Sequence, residues 1–120
     1  MFLVSCAQPP TGTLLPATLF SENLKSNPEV ILLDVRTPAE FAQGHLPNAL
    51  NINWKGNDFE SGIASLDKSK PVFVYCQSGG RSTEAAKEMR AEGFIKVFEL
   101  EGGILKWRAA GLPESRDGLK

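Results

Sequence analysis

Cys76 follows an apolar run, Pro71-Val72-Phe73-Val74-Tyr75, and opens the segment Gln77-Ser78-Gly79-Gly80-Arg81-Ser82. A cysteine attacks as its thiolate, and the backbone N–H groups of a curled loop and the start of a helix both favour that anion. Gly79 and Gly80 allow the loop to turn its N–H groups inward without a side-chain clash, and Arg81 adds a fixed cation for a substrate oxyanion. These residue types point to nucleophilic chemistry at Cys76. The competing reading is a buried, inert cysteine that ends a strand.

Other chemically capable residues are few. Asp34 closes the run Val30-Ile31-Leu32-Leu33, where its carboxylate can bond loop N–H groups or pair with Arg36. Arg36 is expected at the rim of a pocket. His45, the single histidine, lies between Gly44 and Leu46-Pro47 and reads as a structural hydrogen-bonding residue. The second cysteine, Cys6, shares no metal-ligand spacing with Cys76, so no metal site is expected. A disulfide between the two stays open on sequence alone.

The elements that must position Cys76 alternate in type. Ala17 to Asn27 has Leu19, Phe20 and Leu24 at helical spacing, and Asn27-Pro28 ends it. Val30 to Val35 reads as a strand buried on both faces. Thr37-Pro38-Ala39-Glu40 starts a short helix with an N-cap hydroxyl, a first-position proline and an early acid. A short strand over Ala49 to Asn53 and a weak helix within Phe59 to Leu66 follow. Pro71 to Tyr75 is a second buried strand, Thr83 to Glu92 a helix closed by Gly93, and Ile95 to Leu100 a third long strand. Gly102-Gly103 then leads into a segment carrying Ile104, Leu105 and Trp107. Trp54 and Trp107 are expected in the core or a pocket wall, and Lys68, Lys70, Lys87 and Arg90 on the solvated surface. The alternation predicts one α/β domain with a mostly parallel central sheet and helices on both faces. Loops that work in such sheets lie at the carboxyl ends of strands, which is where Cys76 falls.

Composition narrows the function classes. The 120 residues are 42% hydrophobic and carry 13 basic against 14 acidic side chains. One modest core fits that length, and neither a nucleic-acid backbone nor a bilayer finds a matching surface or span. Residues 1–12 read as a flexible N-terminal segment, 13–113 as the domain, and 114–120 as a polar tail. Leu3-Val4-Ser5-Cys6 resembles the end of a bacterial lipoprotein signal, with Cys6 as the lipidated residue. A working signal needs an apolar stretch of roughly 7 to 15 residues ahead of that point. The chain is therefore expected to be cytoplasmic if it starts at Met1, and a periplasm-facing lipoprotein if a longer signal precedes Cys6.

Three motifs in order resemble the single-domain rhodaneses, the thiosulfate-type sulfurtransferases. They are Leu33-Asp34-Val35-Arg36 with Glu40-Phe41 and Gly44-His45-Leu46-Pro47-Asn48-Ala49; Val74 to Ser82; and Leu100-Glu101-Gly102-Gly103 followed by Trp107. The resemblance spans Thr13 to Pro113 and implies a rhodanese-like domain. It also implies that Cys76 takes a sulfane sulfur from thiosulfate or a persulfide donor and passes it to cyanide or a thiol. By the same resemblance Gln77, Ser78, Gly79 and Gly80 supply backbone donors, and Arg81 and Ser82 fix the loop to the following helix. No cofactor is implied, the partners are the small donor and acceptor or a protein persulfide, and a monomer is expected. Several thiosulfate-using members carry a basic residue where this chain has Gln77, which leaves Arg81 as the only formal cation of the loop. Two alternatives remain beside this reading. One is a cysteine phosphatase or arsenate reductase, whose loop between cysteine and arginine is one residue longer. The other is a rhodanese-like module that binds a partner without chemistry.

Overall fold

The computed structural model describes residues 12–116, so Cys6 and the expected signal remnant lie outside the described residues. In chain order the elements are β1 (Leu14–Leu15), α1 (Ala17–Ser26), β2 (Ile31–Asp34), α2 (Pro38–Ala42) and β3 (Leu50–Asn51). They continue with α3 (Phe59–Ala64), β4 (Val72–Tyr75), α4 (Gly80–Ala91), β5 (Val97–Leu100) and α5 (Gly103–Ala109).

Unbroken apolar runs cannot alternate core with solvent, so they need cover on both faces and take the middle of a sheet. The five strands lie in the order β1-β5-β4-β2-β3, and every pairing is parallel. The two outer strands have only two residues each, which leaves little unpaired edge.

Helices cover both faces. On one, Phe20 of α1 and Ile104 and Trp107 of α5 pack over Leu32, Phe73, Tyr75 and Leu100. Phe20 meets the edges of Phe73 and Trp107 at ring-centroid distances of 5.2 and 6.3 Å, the favoured T-shaped arrangement. On the other face, Phe59 and Ile63 of α3 and Ala85, Ala86 and Met89 of α4 pack over Leu33, Val35, Val72, Val74 and Val97. Among the described residues no helix is long and apolar enough to cross a membrane.

Strand order also locates the working end. From β2 the chain moves outward to β3, and from β4 it moves the other way, to β5. Connections that leave adjacent strands in opposite directions open a crevice beyond their carboxyl ends. Cys76 directly follows β4 at this end of the sheet, and Val35, Arg36 and Thr37 follow β2.

β1, α4 and β5 differ from the sequence reading. β1 is too short to show any periodicity, and α4 starts at Gly80, three residues before the predicted Thr83. Its first turn is Gly80-Arg81-Ser82, where Gly80 is a poor helix former and completes a glycine pair that reads as loop. Ile95, expected to begin the last strand, is 69% exposed and precedes it.

Candidate active site

β4 runs into Cys76, which is 1% exposed and forms part of the core between the sheet and α4. Three residues later the chain turns through Gly79, whose φ of +122° is open to glycine and strained for other residues. This turn brings the Gly79 N–H to 3.0 Å from Cys76 Sγ. The thiol lies 3.5 Å from Ser82 Oγ, and that hydroxyl is 3.2 Å from the Gly79 carbonyl it can donate to. On a thiolate the Ser82 hydroxyl can rotate its proton to the sulfur instead. The start of α4, with Gly79 as its N-cap, lies beneath the same atom, where its dipole favours negative charge.

A second helix holds the loop from behind. At the start of α5, Ile104 N–H donates to the Cys76 carbonyl at 2.9 Å and Leu105 N–H to the Gln77 carbonyl at 3.2 Å. A trans peptide points its N–H opposite to its C=O. Tying down these two carbonyls therefore aims the N–H groups of Gln77 and Ser78 away from α5. The close approach depends on Gly103, at φ +63°. A Cβ there would lie 2.7 Å from the Cys76 carbonyl oxygen and closer still to that of Gln77. Both obstacles are backbone. Gly103→Ala is expected to cost roughly 2 to 4 kcal/mol from left-handed strain and overpacking, and to displace the loop. A urea titration checks this; a loss below about 1 kcal/mol would mean that the loop yields without cost.

Arg81 does not face the loop mouth as an unpaired cation. Its Nη1 and Nη2 donate to Glu40 Oε1 and Oε2 at 2.8 and 3.0 Å, a two-pronged pair that binds α4 to α2. Glu40 also completes a capping box. It accepts the Thr37 N–H at 2.9 Å while its own N–H donates to Thr37 Oγ1 at 3.2 Å. The Arg81 hydrogen bonds hold the Glu40 carboxyl well below the usual carboxylate range, at about 2, with the Thr37 N–H acting in the same direction. Glu40 in turn raises Arg81 above its ordinary value.

Beneath the loop lies a buried network. Arg36 was expected at a pocket rim, yet it is 1% exposed and Asp34 is fully buried. The bonds of Arg36 account for this burial. Its Nε is 3.1 Å from both Asp34 oxygens, and Nη2 donates to Asp34 Oδ2 and to the Gly44 carbonyl, each at 2.7 Å. Nη1 reaches Gln77 Oε1 at 3.3 Å. Burial works against this charge, but hydrogen bonding and attraction from Asp34 outweigh it, so the guanidinium is held above its ordinary value. Tyr75 is pushed up by burial and by Asp34, and its hydroxyl oxygen accepts the Leu46 N–H at 3.0 Å.

The segment that resembles a first sequence signature is therefore a scaffold for the loop. His45 belongs to that scaffold: its ring stacks on Phe41 at 3.7 Å, and Nδ1 donates to the Phe41 carbonyl at 2.9 Å. A family model described as the rhodanese-like domain matches residues 17–110.

The chain belongs to the rhodanese-like domain family. A sulfurtransferase of Allochromatium vinosum is 38% identical over 93 residues, covering 78% of this chain and 85% of that protein. The thiosulfate sulfurtransferase GlpE of Ectopseudomonas mendocina is 34% identical over 99 residues, covering 82% and 87%. Among solved structures, a rhodanese-related protein from Thermoplasma volcanium superposes with a TM-score of 0.77 at 29% identity, covering 87% of this chain and 98% of that one.

Within this rhodanese-like domain six of the expected site residues fall into two groups. Cys76, Gly79 and Ser82 meet around the sulfur, while Asp34, Arg36 and Gln77 form the layer below. Ser78 and Gly80 are exposed at the loop surface. Trp107 is 2% exposed in the core. Arg90, expected in solvent, instead donates to the Val97 carbonyl at 2.8 Å and lies 3.4 Å from Glu99, because β5 passes beside its helix. Sequence reasoning missed the second role of Glu40. The Thr-x-x-Glu spacing announces a capping box, but nothing local announces a partner 41 positions away.

Proposed function

We propose that the chain is a sulfurtransferase in which Cys76 carries the sulfur between donor and acceptor as a persulfide. The Cys76 thiolate attacks the terminal sulfur of a sulfane donor. A new S–S bond forms at Sγ as the donor's own bond to that sulfur breaks, and its electron pair leaves on sulfite or a thiolate. The acceptor, cyanide or a thiolate, then attacks the outer sulfur and releases Cys76 with the electron pair it began with. Neither half-reaction needs an external oxidant or reductant.

The observation that carries this reading is the seat of the nucleophile. Cys76 is 1% exposed at the floor of a short loop, with the Gly79 N–H 3.0 Å from its sulfur. Transfer of one divalent sulfur requires a single atom to enter such a seat. A phosphoryl group would bring a tetrahedral centre and its oxygens, and the loop to Arg81 is one residue shorter than phosphatases use. The N–H donor and the α4 terminus act on the thiolate and on the persulfide anion that replaces it.

Intact-mass spectrometry of the protein after treatment with thiosulfate, and separately with cysteine hydropersulfide, tests the proposal. One added sulfur atom, removed by cyanide with formation of thiocyanate, is expected. No addition from either donor would overturn the reading.

A further inference from the structure

Both guanidinium groups that brace the loop are matched by carboxylates. Arg36 is bound by Asp34 through three contacts of 2.7–3.1 Å, and Arg81 is held by both oxygens of Glu40. Gln77, directly after the nucleophile, adds no charge and gives its carboxamide oxygen to Arg36. Lys106 lays its stem against Gly102, but it is exposed, where salt screens its charge. Once Cys76 is a thiolate, the mouth of the loop is thus negative overall.

We infer that Glu40 is a specificity-determining residue: by occupying Arg81 it makes the loop select hydropersulfide donors over dianionic thiosulfate. The inference rests on the sulfur-transfer reading and deepens it by naming the donor class. A thiosulfate dianion meets a negative site with no uncommitted guanidinium to neutralise its sulfonate. A hydropersulfide, R–S–SH, brings its terminal sulfur to Cys76 without that charge. The thiolate bonds to the terminal sulfur, the donor S–S bond breaks, and its electron pair leaves as R–S⁻. The proton remains on the transferred sulfur, so one negative charge enters the step and one leaves it. Glu40 touches neither donor nor nucleophile and acts only through Arg81.

Glu40→Gln isolates this effect. Glutamine is accepted at the third position of a capping box, so α2 keeps its start while Arg81 loses its counter-charge. The measurement is persulfide loading of Cys76 from thiosulfate and from cysteine hydropersulfide, resolved into kcat and KM for wild type and variant. In the wild type, kcat/KM is expected to favour the hydropersulfide by at least about tenfold. In Glu40→Gln the thiosulfate-to-hydropersulfide ratio is expected to rise by at least about fivefold, mainly through a lower thiosulfate KM. A purely structural role would depress both donors together, so a ratio within about twofold of wild type overturns the inference. Salt gives a second readout on unaltered protein. Raising it from about 0.02 to about 0.3 M should increase thiosulfate kcat/KM by screening repulsion, and a decrease would overturn the inference. Loading by neither donor removes the sulfur-transfer reading itself. Loading by both with no shift in the ratio removes only the role of Glu40.

Discussion

Cys76→Ser is expected to fold and to lose sulfur transfer by roughly a thousandfold or more. A serine hydroxyl is far less acidic than a thiol and cannot form the S–S bond on which the cycle depends. The substitution is otherwise mild. The Gly79 N–H, 3.0 Å from the present sulfur, and the Ser82 hydroxyl both remain able to bond an oxygen. A buried hydroxyl with such partners costs on the order of 1 kcal/mol relative to the thiol it replaces. Thiocyanate formation and intact mass should therefore both fall to background, while the thermal transition moves by only a few degrees. This outcome separates an enzyme from a binding module, because a module's affinity for its partner would survive the exchange. Transfer that persists in the variant would place the chemistry on another residue and sink the assignment to Cys76.

Some of this site can be read along the chain because its determinants are local. An apolar run ending in cysteine, with two glycines and an arginine after it, marks a strand, a turn and a helix, and the structure has all three in that order. Thr37-Pro38-Ala39-Glu40 likewise contains every atom of its capping box. What escaped the reading depends on distant pairing. β1 exists because Leu14 and Leu15 find Glu99 and Leu100 across the sheet, and two residues carry no period of their own. Arg36 reads as a cation at a pocket rim until Asp34, Gly44 and Gln77 surround it, and Arg81 looks uncommitted until α2 brings Glu40 to it. Gly103 reads as half of a glycine pair that leads into the last segment. Its position is in fact fixed by the carbonyls of Cys76 and Gln77, far earlier in the chain. Charge matching and backbone contact between elements are tertiary properties, and they shape this loop more than its own composition does.

Asp34→Ala is expected to destabilise the domain by roughly 3 to 5 kcal/mol, because it strands the Arg36 guanidinium at a site only 1% exposed. Gly44 O and Gln77 Oε1 would remain as acceptors, but neither carries the negative charge that offsets burial of the cation. The Arg36 backbone N–H would also lose its 2.9 Å bond to Asp34 Oδ1 at the turn out of β2. Set against the roughly 5 to 15 kcal/mol that holds a typical domain together, this loss should lower the urea midpoint sharply. The double variant Asp34→Ala, Arg36→Met gives the opposite expectation. Removing both charges removes the desolvation cost as well, so the pair should lose less stability than Asp34→Ala alone. Sulfur transfer need not recover with it, since methionine cannot donate to Gln77 and the residue next to the nucleophile would be released. Recovered stability with impaired transfer would show that the buried pair serves to position the loop. A single Asp34→Ala cost below about 1 kcal/mol would mean instead that Arg36 escapes to solvent and that the pair does not fix the loop from below.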